Sequence, residues 1–125
     1  MLKLILAIGT GSFIGGVSRY LIGRFVQQHV WTAFPFGTLV VNLSGCFLIG
    51  LFYGLSDRGS LTGVEWKMFL TVGFCGGFTT FSTFSYESYN LIRDEQYLFL
   101  SLYIGISVII GIMATFAGII LIRSL

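Results

Sequence analysis

The sequence predicts an all-α integral membrane domain with four transmembrane helices, the third of them broken at midplane. Three observations predict it. Of the 125 residues, 55% are hydrophobic and only 10% charged, with a single proline; a soluble domain of this size has too little interior for so many apolar side chains. Charges and turn residues divide the chain into four apolar segments, each long enough to cross a bilayer at a helical rise of ~1.5 Å per residue. The third segment contains Gly73-Phe-Cys-Gly-Gly-Phe-Thr-Thr-Phe-Ser-Thr-Phe-Ser85, a run of glycines, hydroxyls and phenylalanines. Paired glycines let a backbone leave helical geometry, and carbonyls freed in hydrocarbon need a partner such as an ion. That run reads as the working part of an ion pathway.

The first segment runs from about Leu2 to Arg24, with Arg19 near its far end. Lys3 before an apolar run resembles the start of a signal peptide. No small-x-small cleavage site follows and more spans do, so it is read as the first transmembrane helix. The second covers about Phe36 to Ser56, entered through Trp31 and Pro35 and followed by Asp57-Arg58-Gly59. The third spans about Val64 to Ile92, is uncharged between Lys67 and Glu87, and ends at the polar turn Arg93-Asp94-Glu95. The fourth, about Tyr97 to Ile122, has no charge. Residues 1–125 thus form a single transmembrane domain (helices about 2–24, 36–56, 64–92 and 97–122) with short loops and no internal repeat.

Small residues recur four apart in every segment: Gly11 and Gly15, Gly50 and Gly54, Gly73 and Gly77, Ala114 and Gly118. Such pairs permit close helix–helix contact. Four helices alone enclose little, so an oligomer is expected. Lys3, Arg58, Lys67 and Arg123 fall on one side, and Arg19, Arg24 and Arg93 on the other, a negligible bias under the positive-inside rule. Two explanations stand: a single weakly specified orientation, or insertion both ways with antiparallel self-pairing. The second would supply the inverted symmetry that other transporters encode as a repeat.

Several function classes are excluded. A net charge of +2 with scattered Lys and Arg residues does not suit nucleic acid. Cys46 and Cys75 lack metal-ligand spacing and read as small buried hydrophobes, and the only histidine, His29, falls in a loop. No paired carboxylates, nucleophile–histidine set or phosphate loop is present, so the chain is not expected to be an enzyme.

The candidate chemistry lies in polar groups at membrane depth. On a helix, Phe81, Phe84 and Ser85 share a face, as do Thr80, Thr83, Phe84 and Glu87. Phenylalanine ring edges are positive and can approach a partly dehydrated anion, while Ser82, Thr83 and Ser85 can donate hydrogen bonds to it. Packing rings and hydroxyls bonded back to the preceding turn are the ordinary alternative. Asn42, with Thr38 on the same stripe, is either helix–helix glue or part of a conduction path, because a carboxamide in hydrocarbon needs partners. Tyr103, Ser107 and Gly111 form an i, i+4 ladder on the fourth segment. Arg19 either draws anions into a vestibule or snorkels. Glu87 either pairs with Arg19 or accepts hydrogen bonds from a neighbouring helix.

Gly-Gly-Phe-Thr-Thr-Phe-Ser-Thr-Phe at 76–84 resembles the signature of the small bacterial fluoride channels, the Fluc or CrcB family. Gly9-Thr-Gly-Ser-Phe-Ile-Gly-Gly-Val-Ser-Arg-Tyr20 is similar to the family's first helix, and Phe36-Gly-Thr-Leu-Val-Val-Asn-Leu-Ser-Gly45 to its second. The resemblance covers the whole chain. It implies an antiparallel, dual-topology homodimer in the bacterial inner membrane that exports cytoplasmic fluoride passively through two pores. It also implies a structural Na⁺ at the dimer centre, held by the backbone carbonyls of Gly76 and Thr79. By the same resemblance Phe81, Phe84 and Asn42 line the fluoride path. Ser82, Thr83, Thr38, Tyr103 and Ser107 form its polar track, and Arg19 and Glu87 are the vestibule or structural charges. Gly111 departs from the pattern, at a place where some members carry serine.

Two other readings compete. A small multidrug exporter of similar size needs a membrane carboxylate, typically in its first helix, and the first segment has neither Asp nor Glu. A proton-coupled fluoride carrier would stop at a balance set by pH as well as voltage. A purely structural membrane subunit would have no need of a midplane break.

Overall fold

The computed structural model describes all 125 residues, and every regular element is helical. Helix α1 spans Leu2–Gln28, α2 Phe36–Asp57, α5 Phe81–Arg93 and α6 Tyr97–Ser124. Between α2 and α5 the chain runs through α3 (Val64–Met68), a π-helical stretch (Phe69–Cys75) and the single turn α4 (Gly76–Phe78). Helices α1, α2 and α6 are each long and apolar enough to cross a membrane in one piece. The third segment is interrupted, as expected. Helix α1 continues past Arg24 because that side chain stays on the helix surface, its Nη1 donating to Tyr20 Oη at 3.1 Å.

The break is displaced from where the glycines suggest. Gly76 is helical (φ −62°, ψ −41°), whereas Thr79 (φ −92°, ψ 158°) and Thr80 (φ −149°, ψ 121°) are extended. Of the paired glycines, Gly77 serves close packing, and neither forms the break itself. A Cβ on Gly77 would strike the backbone of Ser12 and Gly16, while one on Gly76 would meet nothing within 4 Å.

The small-residue pairs mesh in two sets. Gly11 and Gly15 of α1 lie against the backbone of the π-helical stretch and α4, and Gly73 and Gly77 against the backbone of α1. Gly50 and Gly54 of α2 meet Thr115 and Ile122 of α6, and Gly118 of α6 meets Phe47 and Leu51 of α2. Backbone-to-backbone contact of this kind maximises dispersion where lipid offers no hydrophobic drive. The π-helical stretch was not expected. Its apolar period reads as ordinary helix, and only the contact made by Gly73, whose Cβ would lie 2.8 Å from Ile8 O, hints that the backbone is shifted towards α1.

The apolar core sits at the other side of α2, where Phe34, Leu39, Leu91 and Tyr103 are buried together. Gln27 closes the α1–α2 loop over it: its Nε2 donates to Phe34 O at 3.3 Å, and its Oε1 accepts from Gly37 N at 3.0 Å. Charges collect at the two ends as the sequence suggests. Arg58 donates to Ile122 O at 2.7 Å and Arg123 lies 3.7 Å from Asp57 at one end, while Arg93 pairs with Asp94 at 3.1 Å at the other.

Backbone contact of this closeness makes a sharp prediction. A Cβ at Gly15 would run into Phe74 O and come within 2.9 Å of Phe78 N, whereas one at Gly9 meets nothing within 4 Å. Gly15→Val should cost ~1–3 kcal/mol or more and lower the melting temperature of the purified protein. Gly9→Ala should leave it unchanged.

Candidate ion path

At the break the helical ladder loses its donors and acceptors, and side chains replace them. Asn42, in the middle of α2, faces Thr80 with both ends of its amide. Its Nδ2 donates to Thr80 O at 3.0 Å, and its Oδ1 accepts from Thr80 N at 2.8 Å. The peptide N–H and C=O fix the orientation of the amide, since a flipped one would set donor against donor. Thr80 Oγ1 also accepts from Thr83 N at 3.1 Å and so caps the start of α5. Arg19 reaches in from α1, and its Nε donates to Gly77 O at 3.1 Å, in the last turn before the break. A cation there offsets the partial negative charge of carbonyls that end a helix.

Among the backbone oxygens at the break, those of Gly76 and Thr79 are left without a partner in the chain. Thr80 N is taken by Asn42 and gives no hydrogen bond to Gly76 O, and no hydrogen bond within the chain ends on Thr79 O. Unpaired carbonyls at such depth are costly unless something else satisfies them.

Glu87 does not pair with Arg19. Its two carboxylate oxygens are both occupied from other helices: Oε1 accepts from Thr38 Oγ1 and Oε2 from Tyr103 Oη, each at 2.7 Å. Tyr103 is fully buried, and its ring packs 5.0 Å from Phe84, which in turn lies 5.5 Å from Phe81. Phe81 itself is 78% exposed on the single chain.

Two adjoining cavities lie beside the break, and Tyr103 lines neither of them. The first, about 380 Å³, is lined by Asn42, Phe81, Phe84 and Ser107 among the predicted path residues, and by Gly76 and Thr79. The second, about 280 Å³, is lined by Arg19, Thr38, Thr83 and Glu87. Thr80 borders both. The hydroxyl of Ser107 is buried and has no hydrogen-bond partner within the chain. Ser82 borders neither cavity; it is exposed, with its Oγ 3.2 Å from Thr80 Oγ1. Gly111 also borders neither, and the space where its Cβ would sit lies 3.5 Å from Cys46 Sγ. Thr80 is the residue that sequence reasoning undervalued. Its use is through its backbone, and the only signal for it was Asn42, an amide that had to bond to something.

The two-point contact gives a measurable expectation. Asn42→Asp replaces the donor to Thr80 O by an oxygen and leaves a buried carbonyl facing another acceptor. A loss of ~1–3 kcal/mol of stability is expected, read as a lower melting temperature in detergent. An unchanged melting curve would mean that the pair does not hold the break.

Comparison with known proteins identifies the family. Residues 6–119 match the family model described as CrcB-like protein, Camphor Resistance (CrcB). The chain is 43% identical over 124 residues to the fluoride-specific ion channel FluC of Flavobacterium psychrophilum, covering 99% of this chain and 100% of that one. It is 44% identical over 122 residues to FluC of Leptospira interrogans serovar copenhageni (98% and 96% covered). It is 46% identical over 121 residues to FluC of Geobacter sulfurreducens (97% and 98% covered). With the match running through all four helical segments and the break between them, the chain belongs to the CrcB-like family.

Proposed function

We propose that this chain is a passive, fluoride-selective ion channel of a bacterial inner membrane, a multi-pass protein and not an enzyme. The observation that carries this reading is that the two cavities adjoin at Thr80, so that Asn42, Phe81, Phe84, Ser107, Thr38 and Thr83 line one route beside the break. The names of the relatives point to the same ion.

Along that route the side chains have complementary tasks. Ser107, with no acceptor inside the chain, is free to donate to a passing anion. Phe81 and Phe84 present ring edges to an ion that has shed part of its water. Thr38 and Thr83 supply hydroxyls along the track, Tyr103 backs it by holding Glu87, and Arg19 gives the second cavity a positive charge. Chloride, being larger, meets a steric barrier. Neutral HF crosses a bilayer, ionises in a less acidic cytoplasm and is trapped; a path for the anion lets it leave, driven by ~2.3 kcal/mol per charge at 100 mV.

The assembly unit in this reading is an antiparallel homodimer inserted in both orientations, with two pores. Two features support it: the near-equal charges at the two ends of the helices and the exposure of Phe81 on a single chain. The carbonyls of Gly76 and Thr79 would hold a sodium ion at the dimer centre. They fit that role, because both lack helical partners, both line the first cavity, and carbonyl oxygens are hard ligands suited to a hard cation. Two chains would contribute two such pairs, and the bound cation would satisfy oxygens that the break leaves bare.

The test is fluoride efflux from liposomes holding only the purified protein, under a potassium potential set by valinomycin. Fast, voltage-driven fluoride release with chloride retained is expected. No release above empty liposomes from folded protein would refute the reading. Phe81→Ile and Phe84→Ile should each slow efflux severely while leaving the elution volume of the protein unchanged, and wild-type flux in both would remove the rings from the mechanism. Asn42→Asp should also block conduction, by placing an acceptor or a negative charge beside the route.

A further inference from the structure

The first cavity has a feature that fluoride transport leaves unused: two free thiols in its wall, Cys46 of α2 and Cys75 at the end of the π-helical stretch. Their levels are set by the break. Asn42 bonds to Thr80, and Gly45 abuts Thr79, so α2 and the third segment run antiparallel with a defined register. One helical turn beyond Asn42 on α2 is Cys46, and one turn before Thr79 on the third segment is Cys75. The same register therefore brings both cysteines to one level of the same cavity. Cys75 is buried and Cys46 half-buried, and Ile49 and Val108 add apolar wall beside them.

No third His, Cys, Asp or Glu joins the pair in a metal-binding group. That rules out a tetrahedral zinc centre, which needs four ligands. A soft d10 cation has no such requirement: Hg(II), Ag(I) and Cu(I) favour sulfur ligands and accept two of them in a linear arrangement.

We propose that Cys46 and Cys75 form a two-thiol site for a soft d10 metal cation, and that filling it obstructs the adjoining ion path. With mercuric chloride the exchange is balanced: two Hg–S bonds form, two Hg–Cl bonds and two S–H bonds break, and two protons leave with two chloride ions. No oxidant or reductant takes part. Mercuric chloride is neutral and can reach the site through lipid. Metal binding stands on the cavity alone, whereas obstruction rests on the channel reading.

The experiment uses the purified full chain and mercuric chloride. Metal bound per chain is measured by intact mass, remaining thiols by alkylation after unfolding, and retention by competition with glutathione. One mercury per chain with both thiols protected is expected. Cys46→Ala and Cys75→Ala should each lower retention by ~10² or more, because the second thiol no longer acts as an intramolecular ligand. Two mercury ions per chain, or retention unchanged in the single variants, would overturn the site. In liposomes, mercuric chloride should reduce fluoride efflux of the wild-type protein to background and leave that of the Cys46→Ala/Cys75→Ala double variant unaffected. Full efflux with one mercury bound would overturn the obstruction. Absence of efflux before any metal is added would strike the channel reading instead, and the metal stoichiometry would still decide the site.

Discussion

One amide facing both backbone groups of one residue holds the centre of this protein together. Extended backbone inside a membrane domain frees an N–H and a C=O from the helical ladder, and each costs several kcal/mol if left alone in hydrocarbon. Asn42 meets both groups of Thr80 at once, at 3.0 and 2.8 Å. With those two groups satisfied, the third segment can stop being a helix at Thr79 and resume at Phe81. Everything nearby follows from this geometry. Thr80 is placed to cap α5, Gly77 O is turned to Arg19, and the carbonyls of Gly76 and Thr79 are released from the helical ladder.

Around that point the helices divide their work by how they pack. Where the chain needs rigidity it brings backbones together through glycine, as between α1 and the first half of the third segment and between α2 and α6. Where it needs polar groups facing inward, it ties them down. Glu87 is held by Thr38 from α2 and Tyr103 from α6, so three helices share one carboxylate. A charge-assisted hydrogen bond is roughly twice as strong as a neutral one, and here two of them fix the register of α5 against its neighbours. Phe84, packed at a tilt against Tyr103, inherits that order, while Phe81 extends from the surface of the single chain.

Much of this was legible because the bilayer enforces simple rules. Segment lengths follow from hydrocarbon thickness, and the four helical segments appear within a few residues of the charges that bound them. The spacing of Gly11, Gly15, Gly73 and Gly77 revealed which faces touch, since nothing else rewards paired small residues there. Asn42 stood out as a polar group needing partners. Less legible was anything decided by the backbone. The π-helical stretch has an ordinary apolar pattern, and the break falls at two threonines instead of at Gly76 and Gly77, the second of which is engaged with α1. Arg19 read as a vestibule charge or a snorkelling side chain, yet its Nε bonds to a carbonyl 58 positions away. Partners at that separation leave no local trace in sequence.

The break also divides the chain by when its parts can be completed during synthesis. The half before it, Val64 to Phe78, finds its glycine-lined seat on α1, which has already been made. The half after it, Phe81 to Arg93, rests on Tyr103 and the core of α6, which the ribosome has yet to deliver. Until α6 arrives, Glu87 lacks one of its two donors and the core around Leu91 lacks Tyr103. Only Asn42, already waiting in α2, can receive the exposed peptide as it emerges. The amide thus acts as an early latch, and the fourth helix as the closing piece that makes the assembly permanent.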